Sequence, residues 1–264
     1  MEEVEMPDLL IGTSGYDYPK WKGVFYSEDL KRKDFLIFYA TQFNALELNN
    51  TFYNMPTAER LMSFYERSEG KLSFSVKANR LLTHEIGADW QVAAKDFKEA
   101  LKPLNEKERL SSVLFQLPES FHYTNDNRIY LAKLIAEFDG FPVMIEFRHK
   151  EWIRESVFEG LEKRKAGIVF CDIPMCHLAQ MSIISNYANG AKATYTVGES
   201  PNGSARYCYD YSDEELVQFV PIIKAAGREG KKVQVYFNNH PNGSGAKNAI
   251  SLKKMIEKDE SGEK

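Results

Sequence analysis

The chain has 264 residues, of which 43% are hydrophobic and 27% charged, so it can form a sizeable core and is not a disordered chain. Its formal net charge of −4 argues against broad attraction to nucleic acid or to an anionic membrane. Three scattered cysteines are too few for a disulfide framework, and no stretch has the pattern of a signal peptide or the length of a membrane span. We therefore expect a cytoplasmic protein whose partner is a small molecule.

Short apolar runs that are rich in β-branched and aromatic residues predict eight strands. In chain order they are Leu9–Thr13, Ala45–Asn49, Leu72–Val76, Val113–Leu117, Val143–Phe147, Ile168–Asp172, Ala193–Val197 and Val233–Phe237. Most of these runs are continuously hydrophobic, which is typical of parallel strands that are covered on both faces.

Amphipathic segments in most of the gaps predict helical crossovers. They are Lys33–Gln42, Thr57–Arg67, Trp90–Leu101, Asn127–Phe138, Ser156–Lys165, Asp213–Ala226 and Gly245–Ile256. Ser212 suits the N-cap of the sixth of these helices, and Pro221 is expected to kink or split it. Between Ile173 and Lys192 no helix is indicated, so the sixth crossover is expected to be irregular.

Strands that alternate with helices favour a TIM-type (β/α)8 barrel, with a doubly wound open sheet as the alternative. No repeat, linker or low-complexity tract divides the sequence. We expect one domain over residues 1–264, with a mobile charged tail at 257–264.

Polar residues interrupt the strands near their carboxyl ends. Because side chains alternate along a strand, residues two apart share a face. The residues that this rule places toward the barrel interior are Glu47, Asn49, Ser75, Lys77, Gln116, Glu146, Arg148, Asp172 and Asn238. Active sites of TIM barrels lie at this end, so the pattern predicts a polar, mixed-charge site there.

The residue types suggest roles in such a site. Lys77 is expected to stay protonated beside acids and to hold a substrate oxygen, while Arg148 can bind a carboxylate or phosphate through two parallel hydrogen bonds. Glu47, Glu146 and Asp172 are candidate proton donors and acceptors. The alternative is structural, since the same acids can neutralise Lys77 and Arg148 in an internal ion-pair network.

The loops after the strands add candidate ligand-binding residues. The turn from His240 to Gly245 leads into the last helix, where backbone N–H groups can hold an anion, although turn formation alone also explains its Asn-Gly pair. The full set of expected ligand-binding residues is Asn49, Tyr53, His84, Gln116, Arg148, Asn238, Asn239, His240 and Gly243. The five histidines lack the spacing of a helical metal motif, so we expect no metal and no cofactor. As an alternative, His84, His177 and His240 can converge with the three acids on a metal ion.

Several ordered motifs resemble those of the YecE-like family, also called domain of unknown function 72. They are Ile11 to Gly15 with Trp21, Phe25 and Tyr26; Leu46 to Tyr53 with Pro56; Ser75 to Ala78 with Thr83 and His84; Phe115 to Pro118 with Phe121; Glu146 to His149 with Trp152; and Tyr236 to His240 with Ala246, Asn248 and Ala249. The resemblance spans nearly the whole chain. It implies a TIM-type barrel with a polar pocket at the strand ends, but it supplies no reaction. In the expected seventh strand, Thr196 and Gly198 stand where relatives commonly have arginine and histidine.

Three functions remain open. The leading hypothesis is a metal-independent enzyme or binding protein for a small anionic compound, phosphorylated or sugar-like, and the sequence leaves catalysis itself open. The second is a metal-dependent phosphodiesterase acting on nucleic acid, which rests on the likeness of such barrels to endonuclease-IV-like enzymes and which the acidic charge disfavours. The third is a non-catalytic interaction protein in which the polar residues only stabilise the fold. The sequence does not indicate the oligomeric state.

Overall fold

The computed structural model describes residues 9–172, 181–185, 209–227, 232–239 and 241–261. The chain forms two compact units, a terminal unit of Met1–Leu46 with Phe170–Lys264 and a middle unit of Glu47–Val169. The expectation of a single domain over residues 1–264 stays a prediction.

The helices and strands alternate over most of the described chain. In order they are β1 (Leu9–Ser14), α1 (Phe35–Gln42), β2 (Ala45–Leu48), α2 (Ala58–Arg67), β3 (Ser73–Lys77), α3 (Trp90–Glu106), β4 (Leu110–Leu117), α4 (Asn125–Glu137), β5 (Val143–Phe147), α5 (Glu155–Glu162), β6 (Gly167–Asp172), β7 (Met181–Ser185), α6 (Asp213–Leu216), α7 (Val220–Gly227), β8 (Val233–Phe237) and α8 (Ser244–Ser261). None of the described helices is both long and apolar enough to cross a membrane.

In the middle unit, strands β3 to β6 form a parallel sheet in chain order. Phe74 and Phe115 on these strands are fully buried, as are Phe97 and Phe138 on the helical side of the unit. The rings of Phe115 and Phe138 lie 4.9 Å apart in an edge-to-face contact, an arrangement that aromatic side chains favour. Threonine hydroxyls cap α2 and α4 at their N-termini, which satisfies backbone N–H groups that the helices leave unpaired.

In the terminal unit, β8 pairs with two strands of opposite direction. It is parallel to β1, with Leu9 opposite Val233, and antiparallel to β7, with Met181 opposite Phe237. Because of this direction, the last residue of β7, Ser185, lies opposite the first residue of β8. The carboxyl end of β7 therefore lies at the amino end of β8.

The predicted TIM-type (β/α)8 barrel is wrong, because such a barrel requires eight parallel strands and β7 is antiparallel. The chain has instead an α/β TIM-like fold in which β3 to β6 are parallel within the middle unit, while within the terminal unit β8 is parallel to β1 and antiparallel to β7. The predicted seventh strand, Ala193–Val197, lies outside the described residues, and so does most of the segment expected to form the irregular sixth crossover. Helix α8 continues to Ser261 and thus includes the start of the predicted tail.

The predicted helix Asp213–Ala226 is divided in the way that Pro221 indicates. Ser212 caps α6 in a reciprocal pair with Glu215, and a 3-10 helix at Val217–Phe219 separates α6 from α7. Pro221 is the second residue of α7. Proline is tolerated there because N–H groups of a first helical turn have no partner within the helix.

A tyrosine hydroxyl links β1 to β2 in the terminal unit. The backbone N–H of Thr13 donates to the Tyr39 hydroxyl at 2.8 Å, and that hydroxyl donates to the carbonyl of Ala45 at 2.9 Å. Tyr39 is fully buried. Gly12 makes this contact possible, because a Cβ at this position would lie 2.0 Å from the Ala45 carbonyl oxygen and 2.8 Å from the Tyr39 hydroxyl.

Candidate functional site

A hydrogen-bonded row of four side chains, the charged row, lies at the carboxyl ends of β3, β4 and β5 in the middle unit. The Lys77 ammonium donates to Oε1 of Gln116, and Nε2 of Gln116 donates to Oε1 of Glu146 at 2.7 Å. An Arg148 guanidinium nitrogen lies 2.5 Å from the same Glu146 oxygen. Gln116 and Glu146 are opposite each other in the β4–β5 register, so the backbone pairing places their side chains in contact.

Burial differs sharply along the charged row. The Glu146 side chain is 6% exposed and that of Arg148 is 27% exposed. Lys77 is half-buried. The charged row therefore combines a buried carboxylate with two cations that are partly exposed to solvent.

Glu146 is ionised in this environment. Burial by itself would raise the pKa of its carboxyl, but the charges of Arg148 and Lys77 and the hydrogen bonds from Gln116 and Arg148 outweigh burial and lower the pKa. Glu146 therefore does not donate a proton near neutral pH. It contacts Arg148 directly and is linked to Lys77 through Gln116.

Phe52 and His84 flank Lys77. The ammonium nitrogen lies 5.0 Å from the centre of the Phe52 ring, and the rings of Phe52 and His84 are 4.8 Å apart in an edge contact. Partial desolvation lowers the pKa of His84, and the charges of Lys77 and Arg148 lower it further, against a smaller opposing effect of Glu85. His84 is therefore neutral at pH 7 and can bind a ligand without adding charge.

Thr51 and Asn79 fix the backbone beneath this cluster. The Thr51 hydroxyl lies 2.6 Å from the carbonyl oxygen of Lys77 and 2.9 Å from that of Leu48. The Asn79 side chain donates to the Thr51 carbonyl at 2.9 Å. Both residues are 2% exposed, so the segments that follow β2 and β3 are joined by buried hydrogen bonds.

Three further predicted residues lie in the same unit near the end of β2. Glu47 is 5% exposed and Tyr53 is 68% exposed. Asn49 is half-buried, and its Oδ1 is a buried atom with no hydrogen-bond partner among the described residues. A buried acceptor of this kind costs free energy unless a donor reaches it.

The remaining predicted residues belong to the terminal unit. Asp172 ends β6, but its side chain and all of His240 lie outside the described residues, as do His177, Thr196 and Gly198. Asn238, after β8, is half-buried. Asn239 is fully buried, and its amide donates to the carbonyl of Tyr209 and to the side chain of Asn248. Its contacts thus support the fold of this unit.

The glycine-bearing turn before α8 is shaped by packing within the terminal unit. Asn242 and Gly243 both have positive φ, at 52° and 75°, and a Cβ on Gly243 would lie 3.1 Å from a methyl group of Val24. The N–H of Gly245 donates to the carbonyl of Asn239 at 2.6 Å. One of the backbone donors expected to hold an anion is therefore used within the chain.

One group of potential metal ligands was missed by sequence reasoning. The ligand atoms of His122, His149 and Glu151 all lie within 4.8 Å of one another in the middle unit. The two histidines are 27 residues apart in the sequence, so no short motif contains them. The available signal was their position, because each follows one of two adjacent parallel strands, β4 and β5.

Comparisons with known proteins find a matching family model and a similar curated protein. The family model described as "Protein of unknown function DUF72" matches residues 10–263. The curated "UPF0759 protein YunF" of Bacillus subtilis (strain 168) is 24% identical over 245 residues, which cover 85% of this chain and 87% of that protein. These relatives supply no reaction or ligand.

Solved structures of similar proteins support the fold. The crystal structure of the DUF72 family protein TM1631 from Thermotoga maritima MSB8 matches with a TM-score of 0.79 and 30% identity, over 94% of this chain and 99% of that one. A structure of the DUF72 family protein EF0366 from Enterococcus faecalis V583 matches with a TM-score of 0.73 over 94% of this chain and 95% of that one. At 19% identity, the second likeness concerns the fold alone.

Proposed function

We propose that this chain, which belongs to the DUF72 family, binds a small anionic compound through Lys77 and Arg148. The observation that supports the proposal is the arrangement of the charged row, in which a buried Glu146 contacts the partly exposed Arg148 directly and is linked to the partly exposed Lys77 through Gln116. Cations that are oriented before the ligand arrives bind an anion without the cost of ordering them. The ligand's negative group thus contacts the ammonium and the guanidinium.

Charge and hydrogen bonding favour an anion that also has hydroxyl groups. The four side chains of the charged row contain two cations and one carboxylate, a combination that favours a negative ligand. Near the end of β2 the same unit has acceptors, the Glu47 carboxylate and the Oδ1 of Asn49. A hydroxyl on the ligand can donate to such acceptors. Sugar phosphates and hydroxy acids have both kinds of group.

The proposal names a small molecule and not a nucleic acid as the ligand. A net charge of −4 opposes the approach of a long polyanion, whereas a small anion interacts mainly with the local charges. A cytoplasmic location is part of the proposal, and the few scattered cysteines support it. If turnover occurs, Glu47 is the candidate for proton transfer among the predicted acids of the middle unit, since Glu146 stays ionised.

A ligand panel with two matched variants tests the proposal. Isothermal calorimetry and thermal shift would be measured with inorganic phosphate, a pentose phosphate, a hexose phosphate and a hydroxy acid. We expect one of these probes to bind the parent protein, and Lys77→Ala to weaken that binding by about tenfold to a hundredfold. Lys71→Ala is the control, because Lys71 precedes the same strand at its other end and pairs with Glu69 on the surface.

Two sets of results would contradict the proposed anion binding. If no probe binds the parent protein, or if Lys77→Ala and Arg148→Ala bind as the parent does while circular dichroism shows them folded, the charged row is structural. Equal weakening by Lys77→Ala and Lys71→Ala would point to general surface charge and would also overturn the proposal.

A further inference from the structure

Two loops of the middle unit bring three metal-ligating side chains together. His122 is in the loop after β4, His149 follows β5 by two residues, and Glu151 lies in the 3-10 helix Lys150–Trp152. All three are distinct from the charged row. Because β4 and β5 are neighbours in a parallel sheet, the loops that follow them lie side by side.

The distances are close to those of a metal coordination sphere. Nδ1 of His149 is 3.5 Å from Oε2 of Glu151, and Nδ1 of His122 is 3.9 Å from that same oxygen. Ligand atoms that lie about 2.1 Å from a tetrahedral ion are about 3.4 Å from each other. One of the three pairs thus already has the required separation, and a second has to close by roughly 0.5 Å. The ligand atoms of the two histidines, the third pair, lie within 4.8 Å of each other.

Local contacts hold the three side chains beside one another. The Glu151 N–H donates to Nδ1 of His149 at 3.3 Å, so the lone pair of this nitrogen faces Glu151, and an ion that binds there takes the place of this long hydrogen bond. The His122 and His149 rings are in edge contact, with centres 4.4 Å apart. The backbone N–H of Tyr123 donates to the Glu151 carboxylate at 3.2 Å, which holds the acid beside the two rings.

A buried tryptophan fixes the three backbone segments that position these ligands. Trp152 is 2% exposed, and its indole N–H donates to the carbonyl of Phe121 at 2.6 Å. Its ring stacks on Phe121 at 5.3 Å and on Phe147 at 4.8 Å. Each of these aromatic residues is within two positions of a ligand residue. A metal site on such a support loses little entropy when the ion binds.

We propose that His122, His149 and Glu151 form a binding site for a borderline divalent transition-metal ion, of which Zn²⁺ is the type. Two imidazole nitrogens and one carboxylate oxygen form a donor set that zinc accepts, and three protein ligands leave a fourth position for water or a substrate. The site needs neither Lys77 nor an anionic ligand. It is therefore independent of the proposed anion binding.

Neighbouring cations set the expected affinity. The Arg128 and Arg154 guanidinium groups lie 5.0 and 4.3 Å from the centre of the Tyr123 ring, next to the site in sequence and space. His122 and Glu151 are also half exposed, at 58% and 46%. Repulsion and solvent competition weaken binding, so we expect a dissociation constant of about 1 to 100 µM.

Metal titration of the full chain, free of any histidine tag and in a phosphate-free buffer, tests the site. Zn²⁺ binding would be measured by calorimetry, and Co²⁺ would serve as the spectroscopic probe of coordination. We expect one equivalent to bind the parent protein, with at least roughly tenfold weaker binding in His122→Ala and in Glu151→Gln. The controls are Glu155→Gln, an exposed acid four residues further along the chain, and His84→Ala, a histidine of the same unit outside the cluster.

Each outcome bears on the assignment. No binding at about 1 mM Zn²⁺, or an unchanged affinity in folded His122→Ala, overturns it. Loss of binding in His84→Ala with retention in His122→Ala also overturns it, because the ion then lies elsewhere. Lys77→Ala should bind Zn²⁺ as the parent does, so failure of the anion proposal leaves this one standing.

Discussion

Arg148 and Glu146 are joined by a contact of 2.5 Å between a guanidinium nitrogen and a carboxylate oxygen whose side chain is 6% exposed. Gln116 donates to the same carboxylate oxygen at 2.7 Å. A charge that is buried to this extent depends on its partners, because water cannot replace them. The contact therefore influences stability, pH dependence and the electrostatics of the residues nearby.

Glu146→Gln should destabilise the protein. The substitution leaves Arg148 without its buried counter-charge, and we expect the free energy of unfolding to fall by about 2 kcal/mol, less than for a fully buried pair because Arg148 is 27% exposed. Urea denaturation measures the change. Glu137→Gln is the matched control, since Glu137 pairs with Lys98 at 34% and 26% exposure, and we expect a loss below about 1 kcal/mol there. Equal losses of unfolding free energy in both variants would contradict the expectation that a buried ion pair costs more to break than a partly exposed one.

Stability should decrease in acid because of the same carboxylate. The pKa of Glu146 is lower in the folded state than its usual 4.5, so the folded protein binds a proton less readily than the unfolded chain does. This contribution is complete above about pH 4.5 and is lost as the pH falls through the folded-state pKa. Between pH 3 and pH 6, the free energy of unfolding should therefore change more with pH in the parent protein than in Glu146→Gln, as measured by denaturation at each pH. Parallel curves would rule out this linkage.

The pKa of His84 should depend on the charge of Lys77. Desolvation and the charges of Lys77 and Arg148 hold the pKa of its imidazole below the usual 6.5, and removal of one cation in Lys77→Ala should move the pKa upward. An NMR titration of the ring nitrogens measures it. Lys71→Ala should leave the titration unchanged. A His84 pKa that is insensitive to Lys77→Ala would mean that the charge of the ammonium does not act on the imidazole.

Gly12→Ala should be strongly destabilising. A Cβ at this position would lie 2.0 Å from the carbonyl oxygen of Ala45, a backbone atom, so β1 and β2 would have to separate, and we expect a loss of about 3 kcal/mol. Gly160→Ala in α5 is the contrasting case, since the nearest atom to its Cβ would be 3.6 Å away on the flexible Arg164 side chain. Alanine favours helix there, with a gain of about 0.5 to 1 kcal/mol. Thermal denaturation distinguishes the two, and a tolerated Gly12→Ala would contradict the close strand contact.

Much of the fold was predictable because its signals are local. Continuous apolar runs located seven of the eight described strands, and the alternation of side chains predicted that Glu146 and Arg148 share a face. Burial differences along the charged row were not predictable, because they depend on packing over the strand ends.

The direction of β7 and the grouping of His122 with Glu151 were not predictable for a different reason. The side-chain alternation of a strand is the same in both directions, so Met181–Ser185 contains no signal for an antiparallel strand. The histidine cluster depends on which strands are neighbours. The predicted barrel already made β4 and β5 neighbours, but the sequence does not contain the loop conformations that bring the three ligand atoms within 4.8 Å of one another.

The Tyr39 hydroxyl occupies a position between β1 and β2 that a backbone group fills in an ordinary sheet. Hydrogen exchange of the Thr13 amide therefore requires movement of a side chain that belongs to α1, and the protection of this amide measures how firmly α1 is docked. In the terminal unit, local opening of a strand and local release of a helix are thus a single event, with one free energy for both.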